Sequence, residues 1–145
     1  VTLKFFEAVL GIIICVILIG FVGSWQQSDS QPMGMSSSGL ISYELDFYSD
    51  AQLLNKIQNV SWGTFDPGEN KTLNIFVLNR DQDGFLQMRA ENFEPPEIEE
   101  FLILSWNFEN QFLGKNNFVE VSFTLHLSDK VKDIENFRFD IVIGY

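Results

Sequence analysis

Val119-Glu120-Val121-Ser122-Phe123-Thr124-Leu125-His126-Leu127 alternates apolar and polar side chains without a break. Successive side chains of an extended strand point to opposite faces, so this stretch predicts a β-strand with one face buried and one wet. The same period of two returns in Leu73, Ile75 and Val77, in Phe137, Phe139, Ile141 and Ile143, and in Ile41, Tyr43, Leu45 and Phe47. Shorter apolar groups at Val60 to Trp62, Phe85 to Ala90 and Phe101 to Trp106 bring the expected total to about seven strands. Turn chemistry falls between them. Asp66-Pro67-Gly68-Glu69 presets a reverse turn, Asp83-Gly84 suits a hairpin, Pro95-Pro96 breaks a strand, and Leu113-Gly114-Lys115-Asn116 makes another turn.

Short strands at this spacing over residues 40–145 predict an all-β sandwich of the immunoglobulin-like type, with Trp62, Trp106 and the phenylalanine-rich faces filling the space between two sheets. Ahead of it the pattern changes twice. Residues 26–39 are small and polar, without periodicity, which is a linker composition. Residues 5–22 are apolar except for Glu7, and at about 1.5 Å per residue such a run in helical form spans the hydrocarbon core of a bilayer, roughly 30 Å. Residues 1–25 therefore read as an α-helix that needs lipid or an equally apolar assembly around it. The run is longer than the apolar part of a cleavable secretory signal. With Lys4 on the inner side, a signal-anchor orientation puts the β-domain outside. A lipid-attachment reading of Cys15 fits poorly, because the small residue expected before such a cysteine is absent. As the only cysteine, Cys15 also has no intrachain disulfide partner.

The opening Val1-Thr2-Leu3, the carboxylate of Glu7 and the following Ala8-Val9-Leu10-Gly11-Ile12-Ile13-Ile14 resemble the mature N-terminus of type IV pilin-like subunits, including archaeal pilins and archaellins. The resemblance implies a processed chain, a helix that packs with copies of itself in a filament core, and a Glu7 carboxylate paired with a neighbouring subunit's amino group. Phe5, Phe6, Gly11 and Gly20 then belong to the assembly helix. A second likeness runs through the β-domain, in Val60-Ser61-Trp62-Gly63-Thr64-Phe65-Asp66-Pro67-Gly68, Ile75-Phe76-Val77-Leu78-Asn79, Leu104-Ser105-Trp106-Asn107 and Phe137-Arg138-Phe139-Asp140-Ile141. These segments look like a group of archaeal surface-exposed immunoglobulin-like domains. That likeness implies fold and an outer-surface setting and no activity, since such sandwiches host many functions.

The formal charge of −11 at pH 7 lacks the lysine and arginine patch that neutralises phosphate, so nucleic acid is an unfavourable partner. No enzymatic constellation emerges. His126 is the sole histidine and falls on the polar side of its strand, so neither a histidine-based triad nor a multi-histidine metal site can be built from it. Glu94, Glu97, Glu99 and Glu100 flank Pro95-Pro96 as a solvated acidic loop. Asn79-Arg80-Asp81-Gln82-Asp83-Gly84 copies the first half of a calcium loop, with Asn79, Asp81 and Asp83 as candidate ligands. Ala90 stands where the bidentate glutamate belongs, so a hairpin loop with solvated acids is the better reading. Asn59-Val60-Ser61 and Asn70-Lys71-Thr72 are acceptor tripeptides that make Asn59 and Asn70 candidate N-glycan sites. The expectation is a structural subunit of an extracellular pilus-like filament, without enzyme activity or cofactor, membrane-anchored before it assembles with copies of itself. The alternative is a single-pass, membrane-anchored accessory or binding module on the cell surface.

Overall fold

The computed structural model describes residues 33–145. The expected helix over residues 1–25, with Phe5, Phe6, Glu7, Gly11 and Gly20, lies outside the described residues, as does the linker up to residue 32. Among the described residues, no helix is long and apolar enough to cross a membrane.

Among the described residues, ten strands form two five-stranded sheets. In chain order they are β1 (Met33–Ile41), β2 (Leu45–Tyr48), β3 (Lys56–Ile57), β4 (Asn59–Phe65), β5 (Asn70–Asn79), β6 (Gly84–Glu94), β7 (Leu102–Trp106), β8 (Gln111–Leu113), β9 (Phe118–Leu127) and β10 (Phe137–Gly144). The first sheet runs β4-β1-β10-β6-β8 and the second β3-β2-β5-β9-β7. All pairings are antiparallel except β1 with β10. The two inner faces close on Phe65, Phe123, Leu125 and Ile141, none with measurable exposure, and on Trp62 and Phe139. Stripping large apolar side chains from water is the main favourable term in such a fold, at roughly 1.5–3 kcal/mol for each.

The strands with strict alternation form where the sequence places them. Val121, Phe123, Leu125 and Leu127 of β9 and Phe137, Phe139, Ile141 and Ile143 of β10 are all buried. Five expectations need correction. Ten strands stand where about seven are expected, because β3 and β8 are too short, and the inward positions of β1 too polar, for an apolar period to register. The sandwich begins at Met33, so residues 33–39 are not linker but most of β1, which bridges β4 and β10. Its inward positions are Ser36, Ser38 and Leu40. The buried Ser36 Oγ donates to Gly63 O at 2.8 Å, and the buried Ser38 Oγ accepts from Trp62 Nε1 at 2.8 Å, so both hydroxyls are satisfied and no large side chain is needed there. The Ile41-to-Phe47 alternation is two strands in different sheets. Ser42 Oγ accepts from the N–H groups of Glu44 and Leu45, the chain turns, and Tyr43 points fully into solvent. Asp83-Gly84 closes no hairpin, because β5 and β6 lie in opposite sheets. Trp106 is only half-buried, stacked on Phe123 with centroids 6.0 Å apart.

Beyond Glu94 the Pro95-Pro96 pair ends β6, and a short 3-10 turn over Pro96–Phe101 follows. Ile98 is buried beneath it while Glu97, Glu99 and Glu100 are exposed, the solvated acidic segment the sequence suggests. Glu69 N donates to Asp66 O at 3.0 Å, closing the expected Asp66-to-Glu69 turn.

Candidate functional site

Asn79 occupies the last position of β5. Continuing the Leu73, Ile75, Val77 period by one step turns it inward, and it is completely buried. Its Nδ2 donates to Gln82 O at 2.6 Å and to Leu113 O at 2.9 Å. Its Oδ1 accepts from Asp81 N at 3.1 Å and from the Tyr145 hydroxyl at 2.6 Å. The carboxamide thus folds the loop after β5 and ties it to β8 and to Tyr145. One Asp83 oxygen accepts from Lys115 N at 2.7 Å. Of the candidate ligands Asn79, Asp81 and Asp83, the Asn79 Oδ1 and one Asp83 oxygen are thus engaged by protein donors, and among the described residues no group of three acidic, histidine or cysteine side chains could hold a metal ion. Tyr145 lies against Gly84, where a β-carbon would collide with its ring. Burial, followed by the nearby Glu44 charge, raises the phenol's pKa above its ordinary value.

The two asparagines of the candidate glycan tripeptides, Asn59 and Asn70, are exposed and sit on the outer faces of opposite sheets. Asn59 opens β4 opposite Gly39, whose missing side chain leaves a shallow groove of about 270 Å³. Asn92, Glu94, Arg138 and Asp140 line it further, with Ser37 and Phe139. The groove's one cation is paired with one of its two carboxylates. Arg138 grips Glu94 with two bonds, Nε to Oε2 at 2.6 Å and its terminal nitrogen to Oε1 at 2.8 Å, which holds that carboxyl below the usual glutamate range. Asn92 Nδ2 donates to Asp140 at 2.8 Å.

Asn70 opens β5 and faces His126 of β9, Oδ1 to Nδ1 at 2.7 Å. Thr72 and Thr124 hydroxyls meet at 3.0 Å, and Ser122 Oγ donates to Asn74 at 2.8 Å. With Ile103 and Ser105 of β7 these residues make an uncharged strip across β5, β9 and β7, in a protein of net charge −11. His126 accordingly sits in the polar ladder on the outside of its strand, as its place in the alternation indicates.

Several features were not anticipated from sequence. The Asn79–Tyr145 pairing brings together residues far apart in the chain, and the only local sign was the inward register of Asn79. Phe85 and Phe112 form an exposed edge-to-face pair with centroids 5.6 Å apart, each more than half exposed. Next to them Phe108, Phe112 and Phe118 line an open hollow of about 500 Å³ with the carboxamides of Asn116 and Asn117. These aromatics and Tyr43 crowd the end of the sandwich opposite the start of β1. No family model matches the chain, and neither a curated protein nor a solved structure matches it.

Proposed function

We propose that this chain is a structural subunit of an extracellular pilus-like filament, with residues 1–25 as an apolar core helix and the immunoglobulin-like sandwich as the outer surface. The observation that carries this reading is the junction between the two parts. β1 starts at Met33, so only residues 26–32 separate a stretch that requires an apolar environment from a domain with a complete core of its own. Seven residues reach at most about 25 Å, which keeps the sandwich against the surface of whatever buries the helix. An all-apolar helix is buried either by lipid or by copies of itself, and contacts that do not close on themselves extend such copies into a filament. Membrane anchoring precedes assembly, and Asn59 and Asn70, exposed on opposite outer faces, carry N-glycans. Peptide mass spectrometry of the native protein would find both asparagines unmodified if the glycan assignment is wrong.

A substitution inside the apolar run tests the filament. Ile13→Asp places a charge where the packed core has no partner for it, so the variant should stay with cells and vanish from sheared surface filaments. Undiminished recovery of the variant in those filaments would overturn the reading. One observation favours a second reading, an anchored accessory module: the aromatic cluster of Phe85, Phe112 and Phe118 sits at the end remote from the start of β1, where a membrane-tethered domain would meet a partner.

A further inference from the structure

We infer that β7 is an open sheet edge to which a second copy of this chain adds its own β7, antiparallel across a two-fold axis. The sandwich has four edges: β4 and β8 in one sheet, β3 and β7 in the other. Three are blunted in the ways that edge strands usually are. β3 is two residues long and carries Lys56, β8 is three residues long, and β4 has shifted register against β1 with Gly63 at φ +72°. β7 has none of these features. Leu102-Ile103-Leu104-Ser105-Trp106 contains no charge, proline or glycine, and it pairs with β9 in unbroken register.

The hydrogen bonds define which of its backbone groups are open. Ser128 N donates to Phe101 O at 2.8 Å and Asn107 N to Ser122 O at 3.2 Å, both in the register of the β7–β9 ladder. Bonded pairs alternate along an antiparallel ladder, so Ile103 and Ser105 face β9 while Leu102, Leu104 and Trp106 direct N–H and C=O away from the sheet. The Leu102 N–H turns back to Glu99 O. Leu104 and Trp106 have no backbone partner beyond β7 among the described residues. Unpaired backbone donors and acceptors in a row are recognised by another extended strand.

Charge selects a copy of this chain and its direction. A protein of net charge −11 repels itself, and the uncharged strip of Ile103, Ser105, Thr124 and His126 beside β7 is where two copies can meet without opposing carboxylates. Glu97, Glu99 and Glu100 precede β7, whereas Glu109 is the one acid in the turn that follows it. Antiparallel pairing keeps the two triple-acid turns at opposite ends; parallel pairing would superpose them. A strand of this length buries less than the roughly 1,000 Å² of a stable free-standing interface, so the contact is weak and forms where copies are crowded. It does not depend on filament formation, which has its own readout in sheared surface material.

The test is amide hydrogen exchange on the full chain in detergent micelles, with protein concentration raised from micromolar to millimolar. The Leu104 and Trp106 amides should slow by at least about tenfold as concentration rises. Ile103→Lys, at a side chain 65% exposed, should restore fast exchange, while Phe85→Lys, 62% exposed on the other sheet, should leave the slowing intact. Fast exchange of both amides at every concentration would overturn the inference. So would slowing that survives Ile103→Lys, or slowing abolished equally by Phe85→Lys, which would mark general adhesion of apolar surface.

Discussion

Asn79 shows how much one buried carboxamide can organise. Four hydrogen bonds converge on it, and Asn79→Ala would strip this partner from the Leu113 carbonyl and the Asp81 amide together, leaving Gln82 O and the Tyr145 hydroxyl only their 2.8 Å bond to each other. The expected loss of unfolding free energy is about 3 kcal/mol, read from urea denaturation, because each stranded buried group costs about 1–3 kcal/mol. Tyr145→Phe removes one of those bonds together with the hydroxyl's 2.8 Å contact to Gln82 O and should cost about 1 kcal/mol. The two variants share a network, so the double variant should lose less than the sum. Tyr145 also sets an alkaline limit. Its folded-state pKa is raised, so the stability it contributes is complete below the ordinary tyrosine value of about 10 and is lost as pH rises through the folded value. Thermal melts across that range should fall more steeply for the natural chain than for Tyr145→Phe. Gly84→Ala pushes a methyl into the Tyr145 ring and should destabilise the chain unless combined with Tyr145→Ala. At the opposite extreme of pH, Lys56 and then Arg80 hold Asp46 below its ordinary pKa against the opposing effect of burial. That contribution is present above the ordinary aspartate range and disappears as pH falls through the lowered value.

At the scale of elements, β1 decides where the domain starts. A chain beginning at residue 33 retains the strand that joins β4 to β10, whereas one beginning at residue 40 removes seven of its nine residues and leaves Trp62 Nε1 without Ser38. The first should melt cooperatively and the second should fail to show a cooperative transition by circular dichroism. This boundary was hidden in the sequence for a physical reason. A strand is legible when its inward positions are large and apolar, as in β5, β9 and β10; β1 fills two of those positions with serines that bond to Trp62 and Gly63. The short β3 and β8 give too few residues for a period to register. The Ile41-to-Phe47 alternation misled in the other direction, since a turn at Ser42 can interrupt a run without altering its pattern of residue types. The candidate calcium loop was legible as a loop. Its central asparagine could be assigned to folding only once Leu113 and Tyr145, distant in sequence, stood beside it.

The whole molecule combines an acidic sandwich that carries one uncharged strip, a large negative charge overall and an apolar N-terminal run. Self-repulsion among its carboxylates is screened by salt, so raising NaCl from about 0.05 M to about 0.5 M should increase the melting temperature and also strengthen contact between copies. Loss of melting temperature on adding salt would mean that the matched pairs, such as Arg138 with Glu94, outweigh the repulsion. Function at this scale follows from what covers residues 5–22, which cannot stay in water. The most direct measurement is electron microscopy of whole cells labelled with gold-conjugated antibody raised against the sandwich. Label spaced along thin surface filaments is the result expected of a filament subunit; label confined to the cell membrane, with bare filaments or none, would contradict it.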